Sequence, residues 1–325
     1  MFKVWRIGAR FAAYFASAFL MSAVPMSVVQ AAEESQIAFT HTTMPDPNGG
    51  EVELGIWAPE APPVSGQRAL IVFSHGTGGV YSGHEDTAQA LVRAGFVVAA
   101  LTHTGDNYRD QSKVVQIENR PRQLKLLIDY MLTRWEGHAG LDPNRVGAFG
   151  FSAGGFTVLA LAGGEPDLTL VRPHCRAHPQ YFDCGLVQKA RSEAELKERA
   201  PTTWIHDGRI KAVVAAAPAL GFAFGSQGLA AVTVPVQLWK AEFDHILPAP
   251  DYSDAVRATL PSPPQFHTVA NADHFDFLPP CNAVQLQYAG FICASRPGFD
   301  RAAFHAEFNR EVTAFFLKTL GAPQG

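Results

Sequence analysis

The chain has 325 residues, 47% of them hydrophobic, and a formal net charge of −4 at pH 7. That is enough apolar material for one large domain with its own core, so two domains are not required. The acidic balance and the absence of a lysine or arginine cluster argue against nucleic acid as a partner.

In chain order, Lys3, Arg6 and Arg10 precede an uncharged, mostly apolar run from Phe11 to Val29 that closes on Val29-Gln30-Ala31. A basic start, an apolar middle and a small-residue end have the form of a secretory signal peptide, with cleavage expected after Ala31. Cleavage would take the net charge from −4 to −7 by removing those three cations and no acid. The alternative is an uncleaved anchor, because the run approaches membrane-spanning length. Ser17, Ser22, Pro25 and Ser27 interrupt the run and favour the signal peptide. An exported chain, periplasmic or secreted, is expected to carry oxidised cysteines. Cys175, Cys184, Cys281 and Cys293 allow three pairings, of which the local Cys175–Cys184 and Cys281–Cys293 is preferred. A zinc site built from His174, Cys175, His178 and Cys184 is the alternative, although its spacing follows no standard ligand pattern.

Residues 32–325 read as a single domain. Gln36–Thr43 and Glu51–Ala58 alternate like an antiparallel strand pair across the turn-rich segment Pro45–Gly50. Strand and helix patterns then alternate: strand Ala69–Phe73, helix His84–Ala94, strand Phe96–Leu101, helix Glu118–Trp135, strand Arg145–Gly150 and helix Ala153–Ala162. After a break come strands Ile210–Ala217, Val234–Trp239 and Phe266–Ala270 and a last helix, Arg301–Leu320. This rhythm implies an α/β fold with a mainly parallel, doubly wound sheet and an antiparallel N-terminal edge. The break, Gly163–Asp207, holds Pro166, Pro173 and Pro179, one candidate cysteine pair and a charged helical stretch, Ser192–Arg199. It leaves directly from the helix that follows residue 152, so it is placed to act as a cap over a site there; a surface excursion is the alternative.

Residues 150–155 read Gly-Phe-Ser-Ala-Gly-Gly between a strand and a helix. This is the form of a nucleophile elbow, where a sharp turn exposes Ser152 and the flanking Gly150 and Gly154 avoid collisions. The pattern needs a base and an acid downstream, each beyond the carboxyl end of a strand. Asp244 follows Val234–Trp239 and His274 follows Phe266–Ala270. In this reading Ser152 is the nucleophile, His274 the base and Asp244 the group that orients the imidazole. The oxyanion would be met by the amide of Ala153 and by that of Thr77, in the glycine-rich loop after Ala69–Phe73.

Phe73-Ser-His-Gly-Thr-Gly78, Ala94–His103, Gly147–Gly155 and Ala272-Asp-His-Phe-Asp-Phe277 together resemble the dienelactone hydrolase branch of the α/β-hydrolases, especially bacterial members related to platelet-activating-factor acetylhydrolases. The resemblance spans roughly residues 37 to 320. It implies an α/β-hydrolase fold, a serine carboxylesterase activity, a small-molecule or lipid ester substrate, and no metal or organic cofactor. In the acetylhydrolases the acid follows the strand after the nucleophile helix. Here that strand runs into Pro218-Ala219 without a carboxylate, which leaves the acid to the next strand, as in dienelactone hydrolases.

Other polar residues read as structural. His75 is expected to order the oxyanion loop, and His103 and Asp106 to stabilise the loop after their strand. Asp207 falls at the wrong end of the sheet, Glu242 falls short of the acid's position, and Asp273 and Asp276 read as capping groups. Acyl transfer on the same three residues and a non-catalytic binding module of the same fold are the competing functions. Oligomeric state is left open.

Overall fold

A computed structural model describes residues 37–60, 67–193 and 203–321, without the side chains of 191–193. The expected signal peptide, residues 1–31, and residues 194–199 of the expected charged helix lie outside the described residues. Eight strands form one sheet in the order β1-β2-β4-β3-β5-β6-β7-β8. β1 (Ile37–Pro45) and β2 (Glu51–Pro59) pair antiparallel, and β2 runs antiparallel to β4 (Val97–Thr102). Every other pairing is parallel, through β3 (Arg68–Ser74), β5 (Leu141–Phe151), β6 (Ile210–Ala216), β7 (Val236–Ala241) and β8 (Gln265–Val269).

The central strands are buried on both faces, which is why β3, β4 and β6 read as near-continuous apolar runs and not as alternating ones. One face is covered by α2 (Asn119–Thr133) and α3 (Ala153–Leu161). The other carries α1 (Glu85–Arg93) and α9 (Arg301–Leu320). α9 presents Phe308, Val312, Phe315, Phe316 and Leu320 to the sheet, a helical stripe with neighbours three or four residues apart. α3 has no polar stripe because every residue in it is buried.

Several boundaries differ from expectation for identifiable reasons. β5 begins at Leu141 and not at Arg145: Leu141 pairs with Arg68, and the register then shifts so that Val146 pairs with Leu70. Asp142, Pro143 and Asn144 fall within that irregularity, where Asn144 N donates to Asp142 Oδ1 at 2.9 Å. β7 runs to Ala241, two residues beyond the expected Trp239, because β8 extends alongside it and Ala241 pairs with Val269.

The 163–207 segment contains α4 (Val171–Ala177) and α5 (Phe182–Glu193), joined by a Cys175–Cys184 bond with an S–S distance of 2.04 Å. That bond takes both thiolates out of the zinc alternative. α5 begins in the cysteine-bearing part of the segment, upstream of the expected Ser192 start. A second bond, Cys281–Cys293, encloses the short helices α7 (Ala283–Tyr288) and α8 (Gly290–Cys293). Another short helix, α6 (Ser253–Thr259), lies between β7 and β8. Among the described residues no helix is long and apolar enough to cross a membrane.

Candidate active site

β5 passes into α3 through Ser152, whose backbone takes φ 55° and ψ −119°. A non-glycine residue at positive φ is strained and persists only where its surroundings enforce it. Here Ser152 N donates to Ala216 O at 2.9 Å and Ser152 O accepts from Ala219 N at 3.0 Å. The turn is also closed sterically. A Cβ at Gly154 would sit 1.8 Å from Ser74 O, and one at Gly150 would sit 2.0 Å from Gly154 O. Both positions admit glycine alone, because backbone and not a flexible side chain stands in the way.

The structure brings Ser152, His274 and Asp244 together. His274 Nδ1–H donates to Asp244 Oδ2 at 2.8 Å, which leaves Nε2 to accept from the Ser152 hydroxyl at 3.1 Å. His274 is 1% and Ser152 8% exposed. The imidazole lies between Phe151 (4.8 Å between centroids) and Phe275 (5.3 Å). Asp244 is anchored through its other oxygen, which accepts from the amides of Ile246 (3.0 Å) and Leu247 (2.7 Å).

The loops that carry the acid and the histidine are fastened to each other. Phe243 N donates to Ala272 O, and Asn271 N to Glu242 Oε2. Asp273 accepts from the amides of His245 and His274 and from the His245 imidazole. Burial raises the Asp273 pKa, but these hydrogen bonds outweigh it and hold the carboxyl below its ordinary value. Asp273 also caps the short turn His274–Phe277 in a reciprocal capping box with Asp276. Asp276 is further engaged by Arg301 and Ser295. Asp207 pairs with Arg209 ahead of β6, at the opposite end of the sheet.

Thr77 stands in a turn closed by Gly79 N donating to Gly76 O, and it lines the same cavity as Ser152 and Ala153. As the first residue of α3, Ala153 has an amide with no acceptor inside the helix. Thr77, Ala153 and Ser152 therefore border one space.

A buried network holds the Thr77 loop; it includes His75, His103 and Asp106 in the loop-ordering places expected of them, and Arg120, which was unanticipated from the sequence. Arg120, 2% exposed, donates to Asp106 Oδ2 at 2.5 Å, to the His75 carbonyl and to Thr157 Oγ1 at 3.1 Å. Asp106 Oδ1 in turn accepts from Gly78 N at 3.1 Å. His75 accepts from His103 N on Nε2 and donates from Nδ1 to Gly76 O at 2.6 Å. Burial, reinforced by the Arg120 charge, pushes the His75 pKa down to about 3. Both His75 nitrogens are thus committed to backbone. His103 is likewise neutral, donating to Gln123 Oε1 from Nδ1 and accepting from Ser74 Oγ on Nε2. A signal for Arg120 did exist: a cation in the first turn of α2 opposes the helix dipole, so another interaction has to hold it there.

A cavity of about 210 Å³ opens beside Ser152. Its walls are apolar and mostly aliphatic, from Val114 and Ile117 before α2, Val171, Leu186 and Val187 of the 163–207 segment, and Leu247, with Phe182 as an aromatic member. Arg172 and Asp183 contribute its charged groups.

No protein-family model matches the chain, and no curated protein matches it by sequence. Among solved structures it is similar to a ferulic acid esterase from Streptomyces cinnamoneus, with a TM-score of 0.60 and 15% identity over 90% of this chain and 92% of that one. That likeness, together with the sheet order, establishes an α/β-hydrolase fold.

Proposed function

We propose that the chain is an exported serine hydrolase of carboxylic esters that works through an acyl-enzyme. The reading rests on one observation: a serine hydroxyl on a strained elbow, an imidazole and a carboxylate are hydrogen-bonded in series at 3.1 and 2.8 Å. The esterase named among the similar folds supports it, and the two disulfides are compatible with an oxidising compartment.

Ser152 Oγ attacks the ester carbonyl as His274 Nε2 takes its proton. Asp244 holds Nδ1–H and stabilises the imidazolium that results. The oxyanion is met by the Ala153 amide at the start of α3 and by the Thr77 amide, each such donor contributing about 2.7–4 kcal/mol. His274 then protonates the departing alcohol. Water, deprotonated by the same nitrogen, attacks the acyl-enzyme and releases the acid, restoring Ser152.

The cavity supports an apolar ester as the substrate. Aliphatic walls favour an uncharged, apolar acyl or alcohol group, and about 210 Å³ exceeds the ~150 Å³ that accommodates benzene. An acyl group well beyond acetyl is therefore accommodated.

The deciding experiment combines labelling with a fluorophosphonate probe and hydrolysis of p-nitrophenyl esters of increasing acyl length. Stoichiometric labelling at Ser152 and turnover that rises beyond the acetyl ester are expected. A folded protein that neither labels nor hydrolyses any ester in the series would sink the proposal.

A further inference from the structure

α4 and the residue that follows it carry His174-Cys-Arg-Ala-His178, a spacing that sets two imidazoles one helical turn apart on one face. Their ring centroids are 5.2 Å apart. Facing them, in the segment between β7 and α6, is Asp251. Its Oδ2 lies 3.7 Å from His178 Nε2, too far for a hydrogen bond. One ligand atom from each of His174, His178 and Asp251 falls within 4.8 Å of the other two.

The surroundings hold these groups in place. His174 stacks on Phe222 at 3.6 Å and 12°, and His178 on Tyr181 at 4.6 Å and 9°. His174 Nε2 lies 3.2 Å from the Tyr252 hydroxyl, which donates to Asp183 Oδ1 at 3.0 Å. Asp183 Oδ2 is buried with no hydrogen-bond partner among the described residues. A histidine oriented by an outer hydroxyl and carboxylate is the arrangement that commonly supports a metal-binding imidazole.

We propose that His174, His178 and Asp251 form a binding site for a divalent cation of the zinc class, with water completing a tetrahedral shell. Two imidazoles and one carboxylate are a borderline donor set that suits zinc, whereas calcium and magnesium require shells built mainly of oxygen. Tetrahedral bonds of about 2.0–2.1 Å bring donor atoms to roughly 3.3 Å from one another. His178 and Asp251 have side chains 34% and 26% exposed, so they have room to rotate inward and to admit the ion and its water. Neither cysteine takes part, which separates this site from the zinc alternative suggested by the sequence. The ion would tie α4, whose Val171 and Arg172 line the cavity, to the segment that leaves the Asp244 loop. The site does not depend on the esterase reading.

The test uses the full chain with its disulfides intact, stripped with a chelator and titrated with zinc by calorimetry. A parallel titration with cobalt(II) reports geometry through its visible absorption. One zinc per chain and a tetrahedral cobalt band are expected. His178→Ala and Asp251→Asn should each weaken zinc binding by more than about tenfold, the lower end of what losing even an outer partner costs, with an unchanged far-ultraviolet spectrum. Zinc binding that survives both substitutions at full affinity places the ion elsewhere and overturns the proposal. So does the absence of both a binding heat and a cobalt band, in which case His178 and Asp251 are only partly exposed neighbours.

Discussion

Asp244 meets His274 Nδ1 at 2.8 Å while its second oxygen is held by two backbone amides, so the carboxylate can present only Oδ2 to the imidazole. Glu242 and Asp273, the other acids beside these two positions, each accept from a backbone amide of the opposite loop, Asn271 and His245 respectively. Asp244→Asn places an amide donor against Nδ1, which shifts the imidazole proton to Nε2 and removes the acceptor that Ser152 needs. Loss of a triad carboxylate in this way costs about 10⁴ in kcat. Ester turnover near neutral pH should therefore fall by several orders of magnitude, with Glu242→Gln and Asp273→Asn much milder. If Asp244→Asn stays within about tenfold of wild type, another group orients His274.

Ser152→Ala should leave the fold in place and abolish turnover, with losses on the order of 10⁶ in kcat where a triad nucleophile is removed. The elbow is held by the Ser152 amide and carbonyl, which alanine retains. A near-native melting temperature with no fluorophosphonate labelling is the expected pair of results. A folded variant with wild-type kcat would falsify the nucleophile assignment.

Arg120 acts at a distance from the reacting atoms, as a positioning residue for the loop that carries Thr77. Arg120→Met leaves the Asp106 carboxylate buried without its cation, a change that typically costs about 3–5 kcal/mol. It also releases the His75 carbonyl, one residue from Gly76-Thr77. Stability should drop in thermal unfolding, and kcat should fall more than KM rises, because a misaligned donor weakens the transition state more than the bound ester. Adding Asp106→Asn should recover part of the lost stability and little of the kcat. A variant with unchanged kcat and melting temperature would remove Arg120 from this role.

The juxtaposition of Ser152, Asp244 and His274 was legible in the sequence because each residue sits just beyond a strand of a parallel sheet. Such strands are short apolar runs, and their carboxyl ends converge. Gly150 and Gly154 were legible for the related reason that a tight turn leaves no room for a Cβ. The partners of Arg120 were not, because its three acceptors come from separate segments that meet only after the sheet has formed. The aliphatic cavity escaped notice in the same way: Val114, Leu186 and Leu247 carry no local periodicity that would mark them as neighbours. α4 and α5 were hidden by prolines and cysteines. Pro173 falls in the first turn of α4, where a missing N–H costs nothing, so a residue that usually breaks helices did not break this one.

His84 is buried beside Phe149 and Phe151, and neither of its ring nitrogens has a hydrogen-bond partner among the described residues. Burial pushes its pKa down to about 4, against an opposing pull from Asp86. In the unfolded chain an ordinary histidine titrates near pH 6.5. Between those two values the unfolded chain binds a proton that the folded one refuses, so stability is full above about pH 6.5 and falls as the pH drops towards 4. His75, pushed down to about 3, acts in the same direction over a wider window. His84→Met removes two unsatisfied buried polar atoms at nearly constant volume and should stabilise the protein by about 1–3 kcal/mol at pH 7.5. At pH 5 the gain should grow by about 2 kcal/mol, the cost of keeping an imidazole neutral 1.5 units below its unfolded pKa at about 1.4 kcal/mol per unit. Urea unfolding of both proteins at pH 7.5 and pH 5 measures the two gains directly. If the difference between wild type and variant does not widen at pH 5, His84 is not held neutral in the folded protein, and the acid sensitivity belongs to another group.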